Sequence, residues 1–311
     1  AAAATVEAAH KRVRKAVKAA ADSSDGDEAL QAYSFRPTIT RDPERRIPFP
    51  EPSRYDPRDF ELFRAYCRQV FPRGRASIIE KENFCRSAFF TLTTLPNNKH
   101  DMNSGHLLPT TLPGLNHGWL KADAAGRRRI QEEYREYTLG VFHFLCSDPS
   151  VPENAREFFG RFGLCADEYA DSGHFPPMLY VREGRRMVGE TVLTQHNVLS
   201  GREAVGPDGT AGGDAITVAM YPLDCKPVRF MATEDGSNVV REGMFYVTDV
   251  PPYPVPYGII LPKRREASNL LVPVAVSASH VAYCSFRMEP HWMATGAAAG
   301  AAAALSAASG V

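Results

Sequence analysis

The 311-residue chain predicts a mixed α/β fold: an α+β body with a mainly antiparallel sheet, closed by a C-terminal strand–helix unit. Three observations carry this. Arg127 to Cys146 sets Ile130, Tyr134, Tyr137, Val141 and Leu145 on one helical stripe. From Ile216 to Ile260 the pattern turns β-rich, with Asp235-Gly236 as a hairpin turn between two runs. Finally, Leu270 to Val276 reads as a buried apolar strand feeding a polar loop. Pro290 then suits the first turn of a helix whose Gly296 and Gly300 share one face.

In chain order, residues 1–24 predict a helix with Lys11, Arg12, Arg14, Lys15 and Lys18 along one side. A solvated surface helix is the preferred reading over a transit peptide of similar composition. The Ala-rich start and the small-residue end predict a processed or partial chain. Gln31 to Ile39 reads as a strand with Tyr33 and Phe35 on one face and Arg36 on the other. Arg41 to Asp56, rich in proline and charge, reads as an extended surface connection. Asp56 then caps a helix with Pro57 in its first turn, burying Phe60, Phe63, Tyr66, Cys67 and Val70. Pro96 to Trp119 has no period and reads as a long functional or mobile loop.

After the helix over 127–146, Pro152 opens another, with Phe158, Phe159 and Phe162 as core and Gly163 as its stop. Pro177 to Val181 predicts a short strand running into a helix through Met187 and Val188. Gly201 to Asp214 is a turn or mobile loop, and Pro251 to Pro256 a crossing toward the last strand. The uncharged run from Trp292 to Val311 is read as a buried helix rather than a membrane span, since alanine contributes little to insertion. Three parts follow: an extension over 1–24, a substrate or cap domain over 25–265, and the strand–loop–helix over 266–311.

Lys+Arg and Asp+Glu both total 36, which excludes the global basic field that nucleic acid requires. The composition, 44% hydrophobic and 23% charged, is that of a soluble globular protein. The six cysteines (67, 85, 146, 165, 225 and 284) contain no C-x-x-C pair, so buried thiols are expected rather than a disulfide framework or a zinc site. His100, Asp101 and His106 lack ligand periodicity, and no metal is expected. The compartment stays open.

Several blocks occur in a fixed order. They are Gln31-Ala-Tyr-Ser-Phe-Arg36, Leu95-Pro-Asn-Asn-Lys-His-Asp101-Met-Asn103, the run from Leu179 to Glu190, Leu261-Pro262 with Asn269-Leu-Leu-Val-Pro, Ser277-Ala-Ser-His280, Ser285-Phe-Arg287-Met288-Glu289-Pro290, and Gly296-Ala-Ala-Ala-Gly300. Together, over roughly residues 25 to 308, they resemble the FAD-dependent oxidoreductase family, flavoproteins of bacterial type. The resemblance implies FAD as cofactor, hydride transfer from an alcohol or amine to flavin, and a Rossmann-like FAD-binding domain to which residues 266–311 contribute. It also implies cofactor contacts from Arg287, Met288, Glu289, Pro290, Gly296 and Gly300.

His280 is the candidate base or substrate contact, because imidazole titrates near working pH. The alternative is a buried histidine satisfied by a carbonyl. Arg287 and Glu289 either face the flavin or pair with each other, and Gly296 and Gly300 either admit a flat ligand or serve helix packing. Arg36, Asn103 with Asp101, and Arg182 are candidates for a polar, hydroxylated substrate. A salt-bridge cluster with Glu183 and Glu190 is the other reading of Arg182, Arg185 and Arg186.

The sequence departs from the family pattern in three places. No G-x-G-x-x-G follows a strand, and Gly209-Thr-Ala-Gly-Gly213 has no helix after it. The expected explanations are a removed N-terminal segment, a second polypeptide supplying it, or lost flavin binding. Cys284 stands where relatives have Gly, and Asp224-Cys225-Lys226 where many have Asp-Ser-His. These departures motivate the rival reading, a non-catalytic binding or interaction module. A Ser or Cys hydrolase ranks last for want of a nucleophile elbow.

Overall fold

The structure is a computed structural model that describes residues 29–71, 79–81, 84–86, 89–104, 110–202, 214–233 and 239–310. The expected N-terminal helix, the Gly209–Gly213 run, the Asp235-Gly236 turn and His106 lie outside the described residues. Backbone contacts divide the chain into two compact units, Ala32–Val181 and Ala1–Gln31 with Arg182–Val311. The expected boundary near residue 265 is therefore displaced. Residues 182–265 group with the C-terminal segment because Leu193, Val198, Tyr253 and Val255 share one apolar core with Val276, Tyr283 and Phe286.

In Ala32–Val181 the elements are β1 (Thr38–Thr40), β2 (Arg46–Ile47), α1 (Glu61–Val70), β3 (Ile79–Lys81), β4 (Phe84–Arg86), β5 (Phe90–Leu95), β6 (Lys99–Ser104), α2 (Ala124–Ser147), α3 (Glu153–Gly160) and β7 (Gly163–Cys165). The strands form one sheet in the order β2-β7-β1-β6-β5-β4-β3, antiparallel throughout. Mixed α/β structure with mainly antiparallel pairing is as predicted. Asp56 accepts from the Arg58 N–H at 2.9 Å and opens a 3-10 turn over Pro57–Phe60 that leads into α1. Phe60, Phe63 and Cys67 are buried, and Phe60 stacks against Phe144 of α2. Gly140 gives that ring room, because a Cβ there would stand 2.7 Å from Phe60 Cζ.

Two expectations in this unit are corrected. The aperiodic stretch after Pro96 contains β6, paired with β5 from Leu95↔Lys99 to Phe90↔Ser104. Asn97 and Asn98 turn the hairpin with φ of 63° and 55°, which asparagine tolerates better than most residues. Polar side chains hide the strand, since Met102 is its only apolar residue. Gly163 does not simply stop a helix. It opens β7, where a Cβ would lie 2.2 Å from the Ile47 carbonyl oxygen across the pair with β2.

In the other unit the described elements are α4 (Gln195–Ser200), β8 (Ala215–Ala219), β9 (Leu223–Cys225), β10 (Arg229–Ala232), β11 (Val239–Glu242), β12 (Phe245–Val247), β13 (Tyr253–Pro256), α5 (His280–Phe286) and α6 (Glu289–Ser309). The strands form three antiparallel pairs, β8 with β13, β9 with β12 and β10 with β11. The predicted helix through Met187 and Val188 is absent, and residues 182–189 run without regular structure. The predicted strand over Leu270–Val276 is absent too. Pro273 has no N–H for a ladder, Leu270 and Val274 are 52% and 46% exposed, and the backbone is tied by single bonds such as Val272 N to Ile260 O at 2.9 Å. The expected polar loop after it is a helix, α5, whose N-cap Ser279 accepts from the Ala282 N–H at 3.2 Å. Pro290 falls in the first turn of α6, as predicted. Among the described residues no helix is long and apolar enough to cross a membrane.

Candidate active site

Helix α5 organises the site. His280 is its first residue and Cys284 stands four positions on, so both point from one face. Strand β9 brings Cys225, fully buried, to the same place. The two sulfurs and a ring nitrogen of His280 lie within 4.8 Å of one another. Cys225 Sγ is 3.7 Å from His280 Nε2, and Gln31 donates its side-chain amide to Cys284 Sγ at 3.5 Å. Both cysteines are fully buried, whereas the His280 side chain is 39% exposed.

The other imidazole nitrogen is fixed. His280 Nδ1 meets Glu183 Oε2 at 2.7 Å, and Glu183 Oε1 accepts the Gln31 backbone N–H at 2.9 Å. Arg186 approaches the same carboxylate at 3.7 Å and donates through Nε to the Ala278 carbonyl. Burial pulls the Glu183 carboxyl upward. The hydrogen bond and charge of His280, with Gln31 and Arg186, outweigh it and leave a carboxylate held below its ordinary range. The same hydrogen bond raises His280 against burial. Within the thiol pair, the hydrogen bond from Cys225 draws Cys284 down and, with burial, pushes Cys225 up. The cluster thus keeps an anionic carboxylate behind the imidazole and two thiols in front of it.

A second charged group adjoins it. Arg287, 2% exposed, donates to the Asp224 carbonyl at 2.8 Å and stands 3.6 Å from the Asp224 carboxylate, while its Nε is buried without a partner. Of the two readings of Arg287 and Glu289, their mutual ion pair is not formed: Glu289 sits exposed at the start of α6. Lys226 lies 3.4 Å from Asp224, and burial lowers its pKa against that carboxylate.

The structure thus gathers His280 and Arg287 from the predicted set and places Arg182, buried, in the same unit near Lys226. Met288 caps α6, and Pro290 is exposed in its first turn. Gly296 and Gly300 face open space, with nothing within 4 Å of a Cβ built on either, so helix packing does not account for them. Arg36 and Asn103 belong to the other unit, where Arg36 is ion-paired to Asp101 and lies over the Tyr180 ring. Asn103 stands on β6 opposite Thr91. Sequence reasoning missed Glu183 as the partner of His280, Gln31, and the two cysteines as a pair. The signal for the last was present: His280-x-x-x-Cys284 spacing, with Cys225 inside the block that departs from the family pattern.

Comparison with the curated proteins gave no match. Comparison with the solved structures gave none either. The family model described as "FAD dependent oxidoreductase" matches residues 2–311. On that match the chain belongs to the FAD dependent oxidoreductase family, whose cofactor is FAD.

Proposed function

We propose that the protein oxidises a polar, hydroxylated small molecule, a sugar or polyol, with the Glu183–His280 pair as its proton-handling centre. The observation that carries this reading is the 2.7 Å bond from His280 Nδ1 to a buried carboxylate, which fixes the ring and leaves Nε2 on the thiol side of a half-exposed imidazole. An imidazole oriented in this way can take the proton of a substrate hydroxyl.

For FAD the fit is partial. The open face at Gly296 and Gly300 and the unpartnered Arg287 Nε suit a flat ring that gains negative charge on reduction, for which Arg287, Met288, Glu289 and Pro290 are the proposed contacts. A glycine-rich phosphate cradle is not formed by the described residues. Bound FAD supplies the hydride acceptor; the chain's part is to hold the substrate and move its proton. Arg182, in the same unit as His280, is proposed as a substrate contact.

The test is visible absorption of the purified protein before and after denaturation, followed by a screen of sugars and polyols with an artificial electron acceptor. Flavin released on unfolding and turnover of a hydroxylated substrate would support the reading. Folded protein that binds no added FAD would replace it with the non-catalytic binding module.

A further inference from the structure

We propose that Cys225, His280 and Cys284 form a binding site for a thiophilic divalent cation, best matched by Zn²⁺, with one coordination position left for water or substrate. The donor set is the first ground. Two thiols and an imidazole are soft and borderline ligands, which select zinc over the oxygen-seeking magnesium and calcium. The geometry is the second. Bond lengths of about 2.3 Å to sulfur and about 2.0 Å to nitrogen set the S···N edge of a tetrahedron at about 3.6 Å. Cys225 Sγ and His280 Nε2 are 3.7 Å apart, and all three donors lie within 4.8 Å of one another.

The surroundings are the third ground. A metal-bound imidazole characteristically gives its other nitrogen to a carboxylate, which fixes its tautomer and orientation. His280 does this with Glu183 at 2.7 Å, so Nε2 is the nitrogen left for an ion. Three protein ligands with an open fourth position are the pattern of catalytic rather than structural zinc. Both sulfurs are buried while His280 is part-exposed, so the open position faces the imidazole side. With the ion in place, Nε2 would be a ligand rather than a base, and a metal-bound hydroxide would supply the proton acceptor.

This inference stands apart from the flavin reading, and one sample separates the two. The full chain is purified under reducing conditions, stripped with chelator, and titrated with Co²⁺ and then Zn²⁺, while its flavin content is read separately. Expected are intense visible bands of tetrahedral Co²⁺ with thiolate charge transfer, displacement by Zn²⁺, and one zinc per chain by elemental analysis. Cys225→Ser and Cys284→Ser should each abolish the charge-transfer band or weaken binding at least about 100-fold. Glu183→Gln, which keeps all three ligands, should weaken binding about 10–100-fold. Folded protein, checked by circular dichroism, that shows no thiolate–Co²⁺ band overturns the proposal. So does a band that persists in the double cysteine variant. A mass lower by the thiol hydrogens and restored by reductant, with no metal uptake after reduction, would overturn it in favour of a disulfide.

Discussion

His280 Nδ1 and Glu183 Oε2 are 2.7 Å apart although 97 positions separate the residues in the chain. The carboxylate is almost fully buried, so its charge is balanced by the imidazole, Arg186 and the Gln31 N–H rather than by water. Glu183→Gln keeps the volume and one acceptor but removes the charge. It is expected to cost about 1–3 kcal/mol in urea unfolding and to lower kcat more than it raises KM, because it disturbs orientation rather than substrate contact. His280→Gln is expected to lower kcat by about 100-fold or more. A change in KM alone would place the pair outside the chemistry.

A second buried pair carries stability in the other unit. Arg64 Nε donates to Asp148 Oδ2 at 2.8 Å, and Asp148 Oδ1 accepts from the Ser150 N–H and hydroxyl. Burial raises the Asp148 carboxyl, but the Ser150 hydrogen bonds and the Arg64 guanidinium together hold it below its ordinary range. A carboxyl depressed in the folded state adds stability above its unfolded pKa of about 3.9 and loses it as pH falls through the folded value. Asp148→Asn is therefore expected to cost about 1–3 kcal/mol at neutral pH, with the gap to the parent narrowing in melts near pH 3. A gap that is constant with pH would remove the charge from the explanation.

Gly163 tests the sheet. Because a Cβ there would sit 2.2 Å from the Ile47 carbonyl oxygen, Gly163→Ala must displace backbone rather than a flexible side chain. The expected cost is at least about 2 kcal/mol, read as a lowered thermal midpoint. A neutral substitution would show that the β2–β7 pair is looser than its register implies.

Gly296 and Gly300 predict the opposite. Alanine at either meets nothing within 4 Å and lies inside a helix, so each substitution is expected to raise stability by up to about 1 kcal/mol. If the open face receives the flavin ring, the same variants weaken FAD binding at least about tenfold in a fluorescence titration. Stability gained with FAD affinity unchanged would detach these glycines from the cofactor.

The α2 stripe, the Asp56-Pro57 start and the Pro290 turn were legible in the sequence because each rests on local pattern or capping chemistry. The β6 strand was not, since one face carries Lys99, Asp101 and Asn103 and Met102 is the only apolar residue on the other. Leu270–Val276 misled for the converse reason: β-branched composition suggested a strand, while Pro273 removed a donor that a strand needs. In the candidate site, His280 and Arg287 stood out by residue type. Glu183 did not, because what makes it the partner of His280 is tertiary placement across 97 positions, invisible to spacing along the chain.

The cluster around α5 draws on residues 31, 183, 225, 280 and 284, and the Gln31–Cys284 contact alone spans 253 positions. Closing loops of that length costs entropy before any contact repays it. During synthesis, therefore, Gln31, Glu183 and Cys225 leave the ribosome before their partners in α5 are made. The centre assembles only once residues 280–284 have emerged. Its completion is a late event in the life of the chain, set by the arrival of α5.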